Sequence, residues 1–462
     1  MAGLVLGVPP AILEMVQSGL LERAFHDGLF PALQYRSEAM SEEWGANTGT
    51  EVFMSRPGLL APVVKPLTPG VDPVPQTVSY EQWVARLERY GATIDTHVPT
   101  STVANADQFL RNIHQLGLQA GQSLNRIPRN SLFKAYLSGH TVSIAVAGAG
   151  ATQVRVASLN GFNDVISKGV NVRPRAVSAS SPLAITITGI GIRNVIGVDP
   201  DNPDDPDGPG TLFLDAALGG AGIAARTPVV SSAAPLVIRS GGGVSVDAIG
   251  AGDVFALQDL VNAVNKLRRG NVPPHEDGYY HAHLHTDSNS QVFTDTAFQR
   301  LNTSLPEYQY YREAFLGAIA GCTTFLNAEA PDSSNCGART ATGTNAFYSE
   351  DIGAETTNET GVNIGRIVVT GRGALYERAL DERQYVTEAG ITGKVGEFQV
   401  VNAGVEVETK GIRLILRAPL NRLQDQVAAT WSISTSFPVP SDVTSGGPQR
   451  FKRAVVIEHA ID

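Results

Sequence analysis

The sequence predicts an α+β fold that carries an inserted, β-sandwich-like domain. Two observations support this class. Apolar residues recur every three or four positions over about 103–137, which is the spacing of a long helix. Residues 141–250 are instead rich in Gly, Ala, Ser, Thr and Val, and short alternating runs at regular spacing predict antiparallel strands there.

The segment before the long helix predicts a short helix and then a hairpin. Residues 11–30 show apolar side chains at amphipathic helical spacing. Over 48–91, two strand-like arms flank the prolines Pro57, Pro62, Pro66, Pro69, Pro73 and Pro75. Because proline cannot donate into a sheet, we expect an extended tip between the arms. The arms alternate weakly, so we expect neither face to pack on a core and the hairpin to need another surface.

The remaining elements follow in order. Pro128 should kink or split the long helix near its end. Strands of the inserted segment are predicted at 141–146, 153–156, 184–188, 211–214 and 236–239. A helix at 253–271, a strand at 279–284, a loop-like segment at 331–362 and a last strand at 454–457 complete the chain.

Composition excludes several classes of protein. Charged residues make up 17% and apolar residues 42%, which is the balance of a folded chain rather than a disordered one. The net charge of -10 argues against tight nucleic-acid binding. Two cysteines make neither a zinc knuckle nor a disulfide framework and favour a reducing compartment. Without a basic signal start or an apolar run of about 20 residues, we expect a soluble protein made in a cytoplasm.

Three motifs suggest ligand sites, each with a structural alternative. His281, His283 and His285 alternate along a strand, so they share one face and could ligate zinc with Asp287 or Glu276. They could equally line a polar face, and we expect no metal and no cofactor. The acidic run Asp199, Asp201, Asp204, Asp205 and Asp207 is similar to a calcium loop, but interleaved prolines break its register and favour an exposed turn. Gly220-Ala221-Gly222 lacks the βαβ context of a dinucleotide site.

One string suggests catalysis. Residues 247–255, DAIGAGDVF, resemble the anion-hole and catalytic-aspartate signature of ribokinase-type sugar kinases, in which Asp253 would take the proton of a sugar hydroxyl. The N-terminal Gly-Gly substrate motif of that family is missing before residue 250. The structural alternative is that Asp253 caps the helix after it. We expect no enzyme, and a sugar kinase using Asp253 is the alternative function.

The order of the elements is similar to that of the major capsid proteins of tailed phages, the Hong Kong 97-type fold. Three stretches resemble the N-four-like branch of that family: EQWVARLERYGATIDT at 81–96, the helix 104–124, and LQDLVNAVNKLRRGNVPPHEDGYY at 257–280. The run 317–322, GAIAGC, lies where that family has a glycine segment between helix and strand. The resemblance spans about three quarters of the chain.

The resemblance implies a division of the chain and a set of partners. It implies an N-terminal arm (1–47), an extended loop (48–91), a spine helix with peripheral domain (92–140), a β-rich insertion (141–250), an axial domain with loops (251–365) and return strands (366–462). The chain would assemble with itself into hexamers and pentamers of an icosahedral head, and so form part of the virion. A portal protein, scaffolding and decoration proteins, and weakly held double-stranded DNA would be further partners, with no membrane.

Within the resemblance, the hairpin supplies the assembly interface. Arg56, Arg86 and Arg89 would pair with acidic residues of a neighbouring subunit, and Lys65 and Trp83 lie on the same hairpin. Some members crosslink a loop lysine to an asparagine, but the flanks of Lys65 do not identify such a reaction, so we expect none. A third reading is a carbohydrate-binding surface protein that uses the β insertion.

Overall fold

The computed structural model describes most of the chain in separate stretches. These are 20–29, 34–45, 48–57, 60, 62–67, 69–78, 80–97, 107–166, 171–172, 174–302, 318–333, 335–336, 352–380, 397–401, 412–417, 426–440 and 453–461.

Helices and strands alternate irregularly, as expected of an α+β protein. The helices in the described residues are α1 Leu20–Leu29, α2 Asp107–Tyr136, α3 Leu257–Arg269, α4 Thr286–Thr294 and α5 Thr296–Asn302. The strands before the inserted segment are β1 Ala39–Glu43, β2 Glu51–Pro57, β3 Tyr80–Arg86 and β4 Glu88–His97. Those of the inserted segment are β5 His140–Val142, β6 Gln153–Val156, β7 Asp164–Ile166, β8 Asn171–Val172, β9 Pro174–Ala176, β10 Leu183–Ile187, β11 Gly191–Pro200, β12 Gly210–Leu214 and β13 Pro228–Ser231. The later strands are β14 Val237–Arg239, β15 Tyr280–Leu284, β16 Ala318–Ile319, β17 Cys322–Leu326, β18 Asn363–Thr370, β19 Leu375–Ala379, β20 Glu397–Val401, β21 Arg413–Arg417, β22 Gln426–Ser436 and β23 Ala454–Ile461.

The chain divides into two compact units. The first comprises Met1–Phe53, Val84–Arg129 and Leu375–Pro438, and the second Met54–Trp83, Asn130–Ala374 and Val439–Asp462.

The first unit is a mixed sheet covered by two helices. Its strands run in the order β1-β19-β22-β21-β20, and β4 pairs along β22. The apolar faces of α1 and α2 pack on the sheet, and Ile113, Leu116 and Trp431 lie in this core at 2% exposure or less. The long predicted helix is therefore confirmed as α2, and it runs unbroken through Pro128 instead of splitting there. Its burial on the core keeps the helix intact although proline removes one backbone donor.

Glycine brings α1 and α2 into close contact. A Cβ atom on Gly117 would lie 2.3 Å from the carbonyl oxygen of Phe25, and one on Gly121 would lie 2.7 Å from that of Leu29. Both distances are shorter than any van der Waals contact, so only glycine allows the two backbones to pack this tightly. The predicted N-terminal helix is described only from Leu20 onward, and 11–19 lie outside the described residues.

The second unit contains a six-stranded sheet, here called the support sheet, in the order β14-β23-β18-β15-β17-β16. Its core includes Leu260, Val264 and Leu267 from α3 and Ile367 and Ile457 from the strands. The strand Val237–Arg239, which the sequence placed in the inserted segment, lies in this sheet, parallel to β23.

The inserted segment forms a closed barrel, not a sandwich. Its six strands follow the order β5-β13-β10-β11-β12-β6, each antiparallel to the next. The ends of the sheet then meet, because the Ile144 N–H donates to the Arg155 carbonyl at 2.9 Å and the Ala157 N–H donates to the Val142 carbonyl at 3.0 Å. Closure satisfies both sheet edges, whereas a sandwich leaves them open. We call this sheet, His140–Ser231, the barrel.

Candidate assembly surface

The hairpin has an apolar tip without a core of its own. β2 and β3 are hydrogen-bonded neighbours, and the tip comprises residues 57–78 between them. Six large apolar side chains of the tip are between 52% and 86% exposed: Leu60, Val63, Val64, Leu67, Val71 and Val74. Sequence reasoning identified the prolines of the tip but not these side chains, although their alternation with proline was visible. Exposed apolar clusters of this kind are typical of interaction surfaces.

The base of the hairpin, in contrast, packs against its own chain. Trp83 and Met54 are 5% and 6% exposed, and the Arg56 guanidinium lies over the Trp83 ring, 5.8 Å from its centroid. This arrangement is a cation–π contact. The prediction that neither face of the arms packs is therefore wrong at the base, because two large side chains there find partners within the chain. Trp83 supports the hairpin instead of presenting its ring to solvent.

The other predicted interface residues lie at the surface. Arg86 Nε is 3.0 Å from Glu51 Oε1, and both side chains are more than half exposed. An exposed ion pair of this kind contributes little to stability, about 0–1 kcal/mol. Arg89 and Lys65 are also exposed. The structure therefore places Arg86, Arg89 and Lys65 where a partner can reach them, and the role of all five residues in assembly stays a prediction.

The three strand histidines have separate partners and do not converge on one point. His281 Nε2–H donates to the Asp277 carboxylate at 3.1 Å, and its ring stacks on His275 with ring centroids 3.9 Å apart. His283 stacks on Phe325, and His285 Nε2 lies 2.9 Å from Asp332 Oδ2. Different partners hold the three imidazoles, so this arrangement offers no shared metal position.

The acidic run of the barrel also has diverging partners. Asp201 pairs with Arg155 at 2.6 Å, and Asp207 pairs with Lys134 at 2.6 Å. Because these two carboxylates are turned toward different cations, they do not face a common centre as calcium ligands do. The loop is an exposed turn, as the sequence alternative predicted.

Asp253 neither caps a helix nor faces an open anion hole. Helix α3 begins at Leu257, whose N–H donates to Asp295 Oδ2, so the predicted cap role of Asp253 is wrong. The Asp253 carboxylate instead accepts from the Gly250 N–H at 2.8 Å. The glycine turn before Asp253 therefore holds one oxygen of its carboxylate. This turn closes the loop before α3.

A buried charge cluster in the second unit was not visible in the sequence. Glu458 lies between Arg239 and Arg366, with nitrogen–oxygen distances of 2.9 and 3.0 Å. Burial by itself would raise the pKa of Glu458, but the two guanidinium groups outweigh it and lower this pKa. The ion pairs join strands β14, β18 and β23, which are distant in sequence, so no local pattern predicts them.

Among the described residues, none of the helices combines the length and the apolar character needed to cross a bilayer. No family model and no curated protein matches the sequence.

Solved structures give low-identity matches across most of the chain. The capsid structure of the cyanophage P-SCSP1u has a TM-score of 0.47 at 10% identity and covers 93% of this chain and 89% of that one. The head structure of the Helicobacter pylori bacteriophage KHP40 has a TM-score of 0.47 at 8% identity, covering 92% and 91%. The capsid of cyanophage Pam1 has a TM-score of 0.44 at 8% identity, covering 94% and 92%.

Proposed function

We propose that this chain is the major capsid protein of a double-stranded DNA tailed phage and assembles into an icosahedral head. The single observation that carries it is the exposed apolar tip of the hairpin. The resemblance of residues 81–96, 104–124 and 257–280 to the N-four-like branch supports it from the sequence.

The tip needs a surface that a second copy of the chain can provide. Full burial of one valine or leucine side chain is worth about 1.5–3 kcal/mol relative to exposure. The tip offers several such side chains but no partner for them within the described residues. A shell places a neighbour beside every subunit, so the same tip is buried once per copy. Hexamers and pentamers arise from this repeated contact.

The polar residues of the hairpin fit a contact of this kind. Arg86 and Arg89 lie near the base and remain exposed, so acidic side chains of a neighbour can pair with them. Lys65 lies within the tip and is exposed, whereas crosslinking chemistry needs a buried lysine. We therefore propose non-covalent docking of the hairpin.

The charge and the elements match the roles that the resemblance implies. A net charge of -10 suits a wall that encloses DNA through weak, non-specific contact. We propose α1 as part of the N-terminal arm, the hairpin as the extended loop, α2 as the spine helix and the barrel as a surface module. Portal, scaffolding and decoration proteins are further proposed partners.

Electron microscopy and sedimentation velocity of the purified full chain test the proposal. We expect shells, capsomers or rings. A variant with Val63, Val64, Val71 and Val74 changed to Ser should stay monomeric, because its tip no longer gains from burial. The matched control changes Val146 and Ile192 to Ser, since these barrel side chains are 75% and 70% exposed yet lie outside the tip.

Two results would overturn the proposal. One is a wild-type chain that stays a monodisperse monomer at every concentration and salt condition. The other is a tip variant that assembles as readily as the wild type and the control. An assembled control beside a monomeric tip variant, with equal unfolding midpoints, assigns assembly to the tip.

A further inference from the structure

The barrel and the support sheet have separate apolar cores, although both belong to the second unit. The barrel core is built from residues between Ala147 and Ala233. The main core of the support sheet begins at Ile238 and shares none of them. A common core fixes two bodies in one orientation because close packing tolerates little displacement. The two bodies therefore do not share one continuous apolar core.

The boundary between the two bodies contains a cavity of about 50 Å³. The barrel lines it with His140, Thr141 and Ser158, and the support side lines it with Ser245 and Glu355 among others. The buried His140 Nδ1 finds no hydrogen-bond partner there. Apolar side chains such as Val142 and Val246 also line it, and a void deprives its lining of contacts that would resist motion. This boundary is loosely packed.

A neck of two chain crossings joins the barrel to the rest of the unit, and β8, between β7 and β9, also pairs with β3 of the hairpin. The chain enters at Gly139 and leaves just after Ser231, where the Ser231 N–H donates to the Gly139 carbonyl at 2.8 Å. Gly139 has φ of 74°, and a Cβ atom there would lie 2.9 Å from Ser231 and 3.1 Å from Ala234. A glycine at a point where two crossings touch is a typical hinge position.

An arginine of the barrel reaches two carboxylates outside it. Arg226 Nε donates to Asp247 Oδ2 at 2.9 Å and Nη1 donates to Glu355 Oε1 at 2.8 Å. Nη2 contacts the second oxygen of both carboxylates, at 2.5 and 2.6 Å. Hydrogen bonds to Glu355 and Asp247 raise the pKa of Arg226. We call these three residues the latch. Its side chains are 15–31% exposed, so water and salt reach it.

The latch holds a strained backbone. Arg226 has φ of 63°, in the left-handed region that a side chain with a Cβ atom disfavours. Strain of this kind persists only where surrounding contacts over-determine it. The contacts are the two ion pairs and the hydrogen bond from the Arg226 N–H to the Ser143 carbonyl at 2.7 Å. Losing the ion pairs removes the side-chain contacts that hold Arg226 in this conformation.

We propose that the barrel is a hinged body which the latch locks in one orientation, and that opening the latch lets it turn about the neck. Four observations support this proposal: separate apolar cores, a cavity at the boundary, a glycine in the neck, and a solvent-accessible ion triad on a strained backbone. A second ion pair, Lys134 with Asp207, joins the barrel to the end of α2 close to the neck, so it moves little during such a rotation. This device is independent of the proposed function.

Pulsed electron paramagnetic resonance on the full chain tests the hinge. Spin labels at Ile192→Cys on the barrel and Gln258→Cys on α3 report the distance between the two bodies. The native Cys322 and Cys336 are 0% exposed and will not react. Labelled chain is diluted about twentyfold with unlabelled chain so that only distances within one molecule are measured. We expect one narrow distance distribution for the wild type.

Variants of the latch residues test whether the latch fixes the orientation of the barrel. Arg226→Ala should at least double the width of the distribution, and the double variant Asp247→Asn with Glu355→Gln should do the same. The matched control is Arg155→Ala, which removes an ion pair of 2.6 Å that lies entirely within the barrel. It should leave the width unchanged. Raising NaCl to 1 M should broaden the wild type and leave Arg226→Ala unaffected, because only an intact latch is screened.

Two outcomes would contradict the hinge. One is a wild-type width in both latch variants, with circular dichroism confirming that they are folded. The other is equal broadening by Arg155→Ala and Arg226→Ala, which would mean that any charge loss loosens the barrel itself. If Arg226→Ala fails to fold, the double variant and the salt series decide alone.

Discussion

The barrel and the hairpin tip solve the problem of apolar residues in opposite ways. The barrel closes all six strands on one another and buries the aliphatic side chains of its core, between Val154 and Val229, almost completely. The tip has no closed sheet, and six of its valines and leucines are more than half exposed. Both segments are rich in small and β-branched residues, so composition alone does not decide which of them is self-sufficient.

The difference teaches that strand closure separates a folding module from a docking module. Where each strand finds two neighbours, backbone donors and apolar faces are satisfied within the chain. Where proline interrupts the strands, the backbone cannot pair, and the side chains need a surface from elsewhere. The predictions below test this contrast, beginning with the largest expected effect.

The sharpest test removes one large side chain from each segment. Phe162 is fully buried in the barrel, so Phe162→Ala should lower the free energy of unfolding by about 4 kcal/mol. Val64→Ala in the tip should change it by less than about 0.5 kcal/mol. Urea unfolding of the unassembled chain measures both values. Equal losses at the two positions would mean that the tip is packed in the free chain.

Acid should destabilise the support sheet more than the barrel. Burial lowers the pKa of His459 from 6.5 to about 4, so the folded chain keeps this imidazole neutral while the unfolded chain binds a proton. Stability is therefore complete above pH 6.5 and falls as the pH drops toward 4, by about 3 kcal/mol at most. The barrel has one histidine, His140 at the start of β5, whose pKa burial also lowers, whereas strands β10 and β12 contain none.

Hydrogen exchange at pH 7.5 and pH 5 measures this difference segment by segment. Amides of β18 and β23 should lose protection at pH 5, while those of β10 and β12 should keep theirs. His459→Gln, which keeps a side-chain donor and acceptor, should flatten the pH dependence of the support sheet. Equal acid sensitivity of both segments would count against His459 as the cause.

The smallest effect is expected at the base of the hairpin. Arg86→Ala removes an exposed ion pair with Glu51 and should cost the free chain less than about 0.5 kcal/mol. If the hairpin docks on a neighbour, the same change should still reduce the yield of assembled particles, which light scattering measures. Arg193→Ala is the control, since Arg193 donates to backbone carbonyls of the barrel. A large loss of monomer stability for Arg86→Ala would show a structural role instead.

The sequence predicted elements better than their partners. The periodicity over 103–137 gave α2, and the strand at 153–156 matches β6 residue for residue. The alternation of the inserted strands predicted their existence, but a barrel and a sandwich share that alternation. Closure depends on the contact of Ile144 with Arg155, which no local pattern encodes.

For the candidate assembly surface too, the sequence predicted local features but not contacts between distant residues. The proline spacing identified the tip, because proline acts locally on the backbone. The packing of Trp83 under Arg56 was missed because it depends on the pairing of two strands, β2 and β3. The whole tip, 22 residues, separates the end of β2 at Pro57 from the start of β3 at Tyr80. The Arg239–Glu458–Arg366 cluster joins three distant strands and was invisible for the same reason.

The position of β23 in the support sheet has a consequence for synthesis on the ribosome. This strand lies between β14 and β18 and pairs with both. The strands of the support sheet therefore cannot all pair until residues 454–461 have been made. All six strands of the barrel end by Ser231, so they can pair while the rest of the chain is still being translated. Nascent chains therefore carry a finished barrel above an unfinished sheet, and the exposed faces of β14, β15 and β18 are what a chaperone would have to protect during that interval.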